Sequence, residues 1–284
     1  MREKASLILD KIQNADYILI GASNGLEISE GYNMFANDAR YHNYFGDFER
    51  KYGIASIFKG FFYPFPSDAE SWAFMSRVFT TNLYNVTSSE IMNHLYDLVK
   101  AQKHFVVTSN GMDHFALAGF DRKNLFEIEG SYQGMQCASG CHDIVYPNSD
   151  LVIEMAKQQK DCKVPEHLLP KCPKCGGRMQ PHLAINQYFV RDQAWQTQYK
   201  AYQQFIIDAH DKNLVVLEFG IGKRNQMIKA PLMHLVHKEP KATYITFNKN
   251  ELYIPAAIAE KSIGIDEDIG AALKELVYLR EVIQ

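Results

Sequence analysis

Four cysteines in two short pairs constrain this chain more than any other feature. Cys172-Pro173-Lys174-Cys175-Gly176-Gly177 sets two thiols three positions apart on a tight turn whose glycines accept positive φ. Cys137-Ala138-Ser139-Gly140-Cys141 is a looser version of the same turn. Cys137, Cys141, Cys172 and Cys175 together offer four sulfur ligands, and tetrahedral Zn²⁺ is the ion that best suits four thiolates. Four protein ligands close the coordination shell. Such a zinc holds a small module together and leaves no position for a reacting water. A pair of disulfides is the alternative; it strands Cys162 as an odd thiol in a chain with no other secretory character. The chemistry is to be sought outside the metal.

A length of 284 residues suffices for one large core and a small satellite. The formal charge of −3 argues against a nucleic-acid binder, whose phosphate contacts need a basic face. Residues 1–20 carry charges throughout and hold no apolar stretch of signal-peptide or membrane-span length. With reduced cysteines, this points to the cytoplasm and away from membranes.

Ile8, Leu9 and Ile12 give residues 1–14 a helical spacing. Tyr17-Ile18-Leu19-Ile20 is then a continuous apolar run, a buried strand, that ends in Gly21-Ala22-Ser23-Asn24-Gly25. Residues 32–98 turn helical and aromatic, with Pro64 and Pro66 marking a break, and read as an inserted layer. Strands resume at 104–108 and 125–128, and an amphipathic helix at 194–210 carries Tyr199, Tyr202, Phe205 and Ile206 on one face. Apolar runs at 214–219 and 242–247 give two more strands. The expectation is an α/β fold: a Rossmann-like parallel sheet from 1–130 and 185–284, a helical insertion at about 32–98, and a small zinc-binding module at 131–184. Gly21-Ala22, Ser109-Asn110, Gly220-Ile221-Gly222 and Asn248 all fall just past the carboxyl ends of strands. That edge of a parallel sheet is where ligands bind, and glycines there let the backbone approach phosphates.

In this order these residues resemble the sirtuins, the NAD-dependent deacylases and ADP-ribosyltransferases. Gly21-Ala22 resembles the family's opening glycine-alanine loop, here continuing Ser23-Asn24-Gly25-Leu26. Thr108-Ser109-Asn110 with Ala118-Gly119 resembles its threonine-glutamine-asparagine motif and the alanine-glycine pair that follows. Glu127-Ile128-Glu129-Gly130-Ser131 stands where the family reads Glu-Leu-His-Gly-Ser, so Glu129 occupies the catalytic histidine's position. Gly220-Ile221-Gly222 and Asn248 resemble the late NAD-contacting turn and asparagine. The aromatic stretch Gly60-Phe61-Phe62-Tyr63-Pro64-Phe65 and the run Ala118-Gly119-Phe120 are similar to the macrodomain-linked class M bacterial sirtuins. That branch lacks the histidine, has glutamine in its place, and transfers ADP-ribose to a lipoyl-carrier protein.

The resemblance implies NAD as co-substrate, one structural zinc, a protein acceptor and a macrodomain hydrolase as partner. It places Gly21, Ala22, Gly25, Leu26, Ser109, Asn110, Asp113, Glu129, Gly220, Ile221, Gly222 and Asn248 around NAD, with Asp113 against the nicotinamide carboxamide one position out of register. Asn110 and Glu129 are the catalytic candidates. Losing the histidine slows the proton transfers of deacylation by roughly 10²–10⁴-fold. Cleavage at the anomeric carbon instead profits from nearby negative charge, as in glycoside hydrolysis, which a glutamate supplies. The reading is an NAD-dependent protein ADP-ribosyltransferase. The alternatives are a weak deacylase or NAD hydrolase, and a silent module that binds NAD or ADP-ribose.

Overall fold

A strand apolar at every position has to be covered on both faces, and several such runs demand a sheet sandwiched between helices. The computed structural model describes residues 2–283 and has that architecture. The chain runs α1 (Arg2–Gln13), β1 (Tyr17–Ala22), α2 (Asn24–Ser29), α3 (Ala39–Tyr52), α4 (Ile57–Phe61), α5 (Asp68–Phe79), a π-helical turn (Thr80–Tyr84) and α6 (Glu90–Val99). It continues through β2 (Lys103–Thr108), α7 (His114–Leu117), β3 (Leu125–Glu127), β4 (Gly130–Cys137), β5 (Tyr146–Pro147), α8 (Ser149–Gln158) and β6 (Met179–Leu183). It ends with α9 (Gln193–Asp208), β7 (Leu214–Phe219), α10 (Lys229–Lys238), β8 (Thr243–Phe247), β9 (Ser262–Ile265) and α11 (Ile269–Ile283).

Six strands form one parallel sheet in the order β3-β2-β1-β7-β8-β9. The order reverses at β1: β2 and β3 build outward on one side, β7 to β9 on the other. The reversal opens a crevice past the carboxyl ends of β1 and β7, the ligand position of doubly wound sheets. Alternate residues serve the two faces. Ile18, Ile20, Val106 and Leu217 pack with α1, α6 and α11; Leu19, Phe105, Val107 and Val216 pack towards α9 and α10. Ile8, Leu273 and Leu276 are fully buried, each contributing about 2 kcal/mol.

A third core lies apart from the sheet. Tyr41, Phe45, Phe48, Phe74 and Phe79, from α3 and α5, pack with Val152, Met155 and Cys162 of the cysteine-bearing segment. Asp38 starts α3 by accepting Tyr41 N–H on its carboxylate (2.9 Å). A three-stranded antiparallel sheet, β5-β4-β6, backs this layer. The helical insertion expected at about 32–98 thus ends short of α6, whose Met92, Leu95 and Val99 lie in the core of the large sheet. The expected cysteine module at 131–184 shares its core with the inserted helices rather than packing alone. Among the described residues no helix is long and apolar enough to cross a membrane.

Candidate functional site

At the mouth of the crevice two turns touch backbone to backbone. Gly25 N–H donates to Gly220 O (3.0 Å). A Cβ built on Gly25 would lie 2.5 Å from Gly220 Cα, and one on Gly220 would lie 2.4 Å from Gly25 Cα. Gly220 also sits at φ +61°, so glycine answers both the contact and the conformation. Bare backbone at a sheet's carboxyl edge, leading into α2, is a surface that a phosphate-bearing ligand can approach closely. Gly21 and Ala22 close β1, and Ala22 O accepts Thr108 Oγ1–H (3.1 Å). Leu26 and Ile221 bury their side chains in opposite cores, so only their backbone faces the crevice region. Asn248 is buried and spends its Nδ2 donor on Ile221 O (2.9 Å), while Gly222 continues the turn at the surface.

Behind the crevice lies a pocket of about 10 Å³, room for one water. Ser109 Oγ and Ser23 Oγ are hydrogen-bonded (2.9 Å), and Asn110 Nδ2 donates to Ser23 O (3.1 Å). Asn110 N–H donates to Thr108 Oγ1 (3.0 Å), which fixes the residue from both ends. Its Oδ1 is then left buried without a partner, as are Glu27 Oε1, Asp113 Oδ1 and Glu127 Oε1. All four residues line the same pocket. Burial pushes the Glu27 carboxyl up to about 8, and burial together with the Asp113 charge does the same to Glu127. The other Asp113 oxygen takes Arg122 and the Gln133 Nε2–H (2.8 Å). His114 meets Glu30 Oε2 at 3.0 Å and Asn82 O at 2.9 Å. Burial lowers the histidine pKa, but the Glu30 contact outweighs it and the net shift is upward. Each buried polar atom left without a partner costs about 1–3 kcal/mol, a cost that a group with matching donors and acceptors relieves.

Glu129 stands in a neighbouring cleft with Ser109, under an aromatic wall of Phe58, Phe61, Phe62 and Tyr132. It is half-buried, and burial raises its pKa. Its carbonyl is held by Ala184 N–H (2.9 Å). Ser109 and Asn110 therefore divide two spaces: Asn110 faces the polar pocket, Ser109 the aromatic cleft with Glu129. The run 61–65 divides likewise, with Phe61 and Phe62 in the cleft and Tyr63 and Phe65 against the third core.

The four cysteines converge as their spacing requires. Cys137 and Cys175 bring their sulfurs to 3.7 Å, Cys141 and Cys172 to 3.6 Å. Those separations suit the edges of a tetrahedron of Zn–S bonds about 2.3 Å long. The donor set fits structural zinc, and Cys162 lies elsewhere, its thiol 3.5 Å from Asp47. His142 Nδ1 approaches Cys141 Sγ at 3.1 Å, with Tyr146 OH on its other nitrogen at 2.9 Å.

Several site residues carry no motif. Glu27 is a buried acid that the sequence presents as an ordinary helix charge, and Glu127 opens the Glu127–Ser131 motif without showing that its carboxyl is buried. Glu218 left a signal, as the only charge in Leu214-Val215-Val216-Leu217-Glu218-Phe219, but its partner Lys229 left none.

No family model matches the chain. A protein ADP-ribosyltransferase of Staphylococcus aureus (strain Mu50) is 31% identical over 273 residues, covering 95% of this chain and 86% of that protein. Among solved structures, a Sir2 enzyme studied for mechanism and regulation superposes with a TM-score of 0.63 at 17% identity over the full length of both chains. A mutant Sir2 homologue in complex with ADP-ribose superposes with a TM-score of 0.61 at 15% identity, covering 98% of this chain and 97% of that one. At such identities the structures speak for the fold, and the staphylococcal relative for the kinship. The chain belongs to the protein ADP-ribosyltransferase family built on the sirtuin fold.

Proposed function

We propose that this chain is an NAD-dependent enzyme that transfers ADP-ribose from NAD to a protein acceptor and releases nicotinamide, the acceptor being a lipoyl-carrier protein. The observation that carries the reading is the cluster of partnerless polar atoms on Asn110, Asp113, Glu27 and Glu127 beside the Glu129 cleft. Bound NAD supplies an ADP-ribosyl group activated by its positively charged nicotinamide. In this reading the bare backbone of Gly25 and Gly220 admits the phosphates, with Gly21, Ala22, Leu26, Ile221 and Gly222 contributing main chain around them. Asn110 Oδ1 and Asp113 Oδ1 accept from the carboxamide, and the protonated carboxyls of Glu27 and Glu127 donate to its oxygen. Asn248, whose Nδ2 holds the Ile221 carbonyl, borders the same turn and contributes to the dinucleotide site. Glu129 accepts from a ribose hydroxyl, and its charge opposes the positive charge that develops at the sugar carbon as nicotinamide leaves. The aromatic cleft excludes water and seats the acceptor's apolar arm. Reduced, metal-binding cysteines favour a cytoplasmic setting, where a macrodomain hydrolase would reverse the modification.

Mass spectrometry of a lipoylated carrier protein incubated with the enzyme and NAD tests the reading. A gain of one ADP-ribose, lost in Asn110→Ala and Glu129→Ala, is the expected result. NAD that is bound but left intact, with no gain, overturns the transferase in favour of a binding module; NAD consumed without protein labelling overturns it in favour of a hydrolase.

A further inference from the structure

A charged pair is buried directly beneath the crevice turn. Lys229, at the start of α10, and Glu218, on β7, are both fully buried, and Lys229 Nζ lies 2.7 Å from Glu218 Oε2. That oxygen also accepts from Tyr244 OH (2.7 Å) and Thr246 Oγ1 (2.6 Å), both on β8. The rest of the network is aimed at one residue's backbone. Glu218 Oε1 accepts Ile221 N–H (2.9 Å), and Lys229 Nζ donates to Ile221 O (3.0 Å), which Asn248 Nδ2 also reaches (2.9 Å). The residue before it is held as well: Gly220 N–H donates to Phe247 O (3.0 Å), and Gly220 O accepts from Gly25 (3.0 Å).

A buried ion pair is weak evidence for stability, because removing two charges from water offsets most of their attraction. Apolar side chains of similar volume would fill the space between β7, β8 and α10 at least as well. What the pair supplies is direction. Its hydrogen bonds fix both the backbone donor and the backbone acceptor of Ile221, in the middle of the turn that meets Gly25 across the crevice. With that residue tied from below, Gly220 keeps its left-handed conformation and the bare backbone stays in place before any ligand arrives.

We propose that Lys229 is a positioning residue for the dinucleotide: with Glu218 it clamps the Ile221 backbone and so presets the Gly220–Gly222 turn. The role rests on the reading of that turn as part of the NAD site. Lys229 touches no reacting atom, so it acts on dinucleotide affinity and leaves the chemical step nearly untouched.

Steady-state kinetics of nicotinamide release separate the two. Lys229→Met is expected to raise KM for NAD about tenfold through misplacement of the turn, with kcat within about threefold. Lys229→Arg, which keeps a charged donor, is expected to recover most of the loss. Since Lys229→Met leaves Glu218 buried without its counter-ion, the double variant Glu218→Met/Lys229→Met provides a second reading: it removes both charges, folds, and shows the same rise in KM. Assays run well below each variant's thermal midpoint keep stability out of the comparison. A folded double variant with wild-type KM overturns the positioning role while the NAD reading stands. Wild-type protein that neither binds nor consumes NAD overturns both.

Discussion

Glu27 and Glu127 face one pocket with carboxyl pKa values raised from 4.5 to about 8, burial being the main cause in each. An acid whose pKa is higher folded than unfolded lends stability that is complete below the unfolded value and lost as pH rises through the folded one. His114, also shifted upward, adds to the same slope. The thermal midpoint is therefore expected to fall as pH rises from 4.5 to about 8. Glu27→Gln, neutral at every pH, is expected to flatten its share of that fall in scanning calorimetry. Wild type and variant with parallel profiles would show that Glu27 is ionised in the folded protein. Glu129 lies outside this pocket, and its expected signature is kinetic. Glu129→Ala is expected to lower kcat for nicotinamide release by about 10²-fold, within the range for a positioned acid or base. The KM for NAD should move far less, because the proposed dinucleotide contacts at Gly25 and Gly220 lie elsewhere. An unchanged kcat removes Glu129 from the chemistry.

Among the elements, the two crevice turns leave little room for change. Gly25→Ala would press a methyl group into Gly220 backbone, which no side-chain rotation relieves. Overpacking of this kind costs about 1–3 kcal/mol, read as a lower midpoint in urea. Gly222→Ala meets nothing nearer than Glu251 Oε2 at 3.9 Å and is expected to leave the midpoint unchanged. Equal losses at both positions would mean that the contact between the turns yields in solution. The strands behind these turns were legible because Tyr17-Ile18-Leu19-Ile20 and Leu214-Val215-Val216-Leu217 are apolar at every position. Strand β9 was not: Ser262–Ile265 is four residues at the sheet edge with only Ile265 buried, too short and too open to carry a pattern. The knuckles were legible for a similar reason, since ligand spacing is local. Glu218 was visible as an oddity, yet its meaning depends on Lys229, Tyr244 and Thr246, which only the fold brings beside it. Asn110 was placed by motif, but its orphaned oxygen follows from a bond to Ser23 across two strands.

At the scale of the whole molecule, the metal and the inserted helices stand or fall together. Cys137 and Cys172 belong to the same core as Phe45, Phe74 and Phe79. Stripping zinc with a strong chelator is therefore expected to lower hydrogen-exchange protection in α3 and α5 as well as in β4 and β6. Strands β1, β2 and β7, in cores of their own, should keep theirs. Loss confined to the knuckles would show the helical layer to be self-supporting. The aromatic cleft has its wall on that layer, through Phe58, Phe61 and Phe62, so the chelated protein is also expected to lose acceptor modification before it loses NAD binding.

The reversal of strand order at β1 has a consequence for how the protein is made. Tyr17 pairs with Lys103 on one side and with Leu214 on the other, so the central strand leaves the ribosome long before its second neighbour exists. Non-local pairing of this kind closes late and slowly. The knuckles, Cys137 to Cys175, are complete well before Leu214 is synthesised. A nascent chain can thus capture its metal and finish its smaller core while one edge of the central strand is still bare. The crevice, where Gly25 meets Gly220, cannot close until the chain has grown past residue 220.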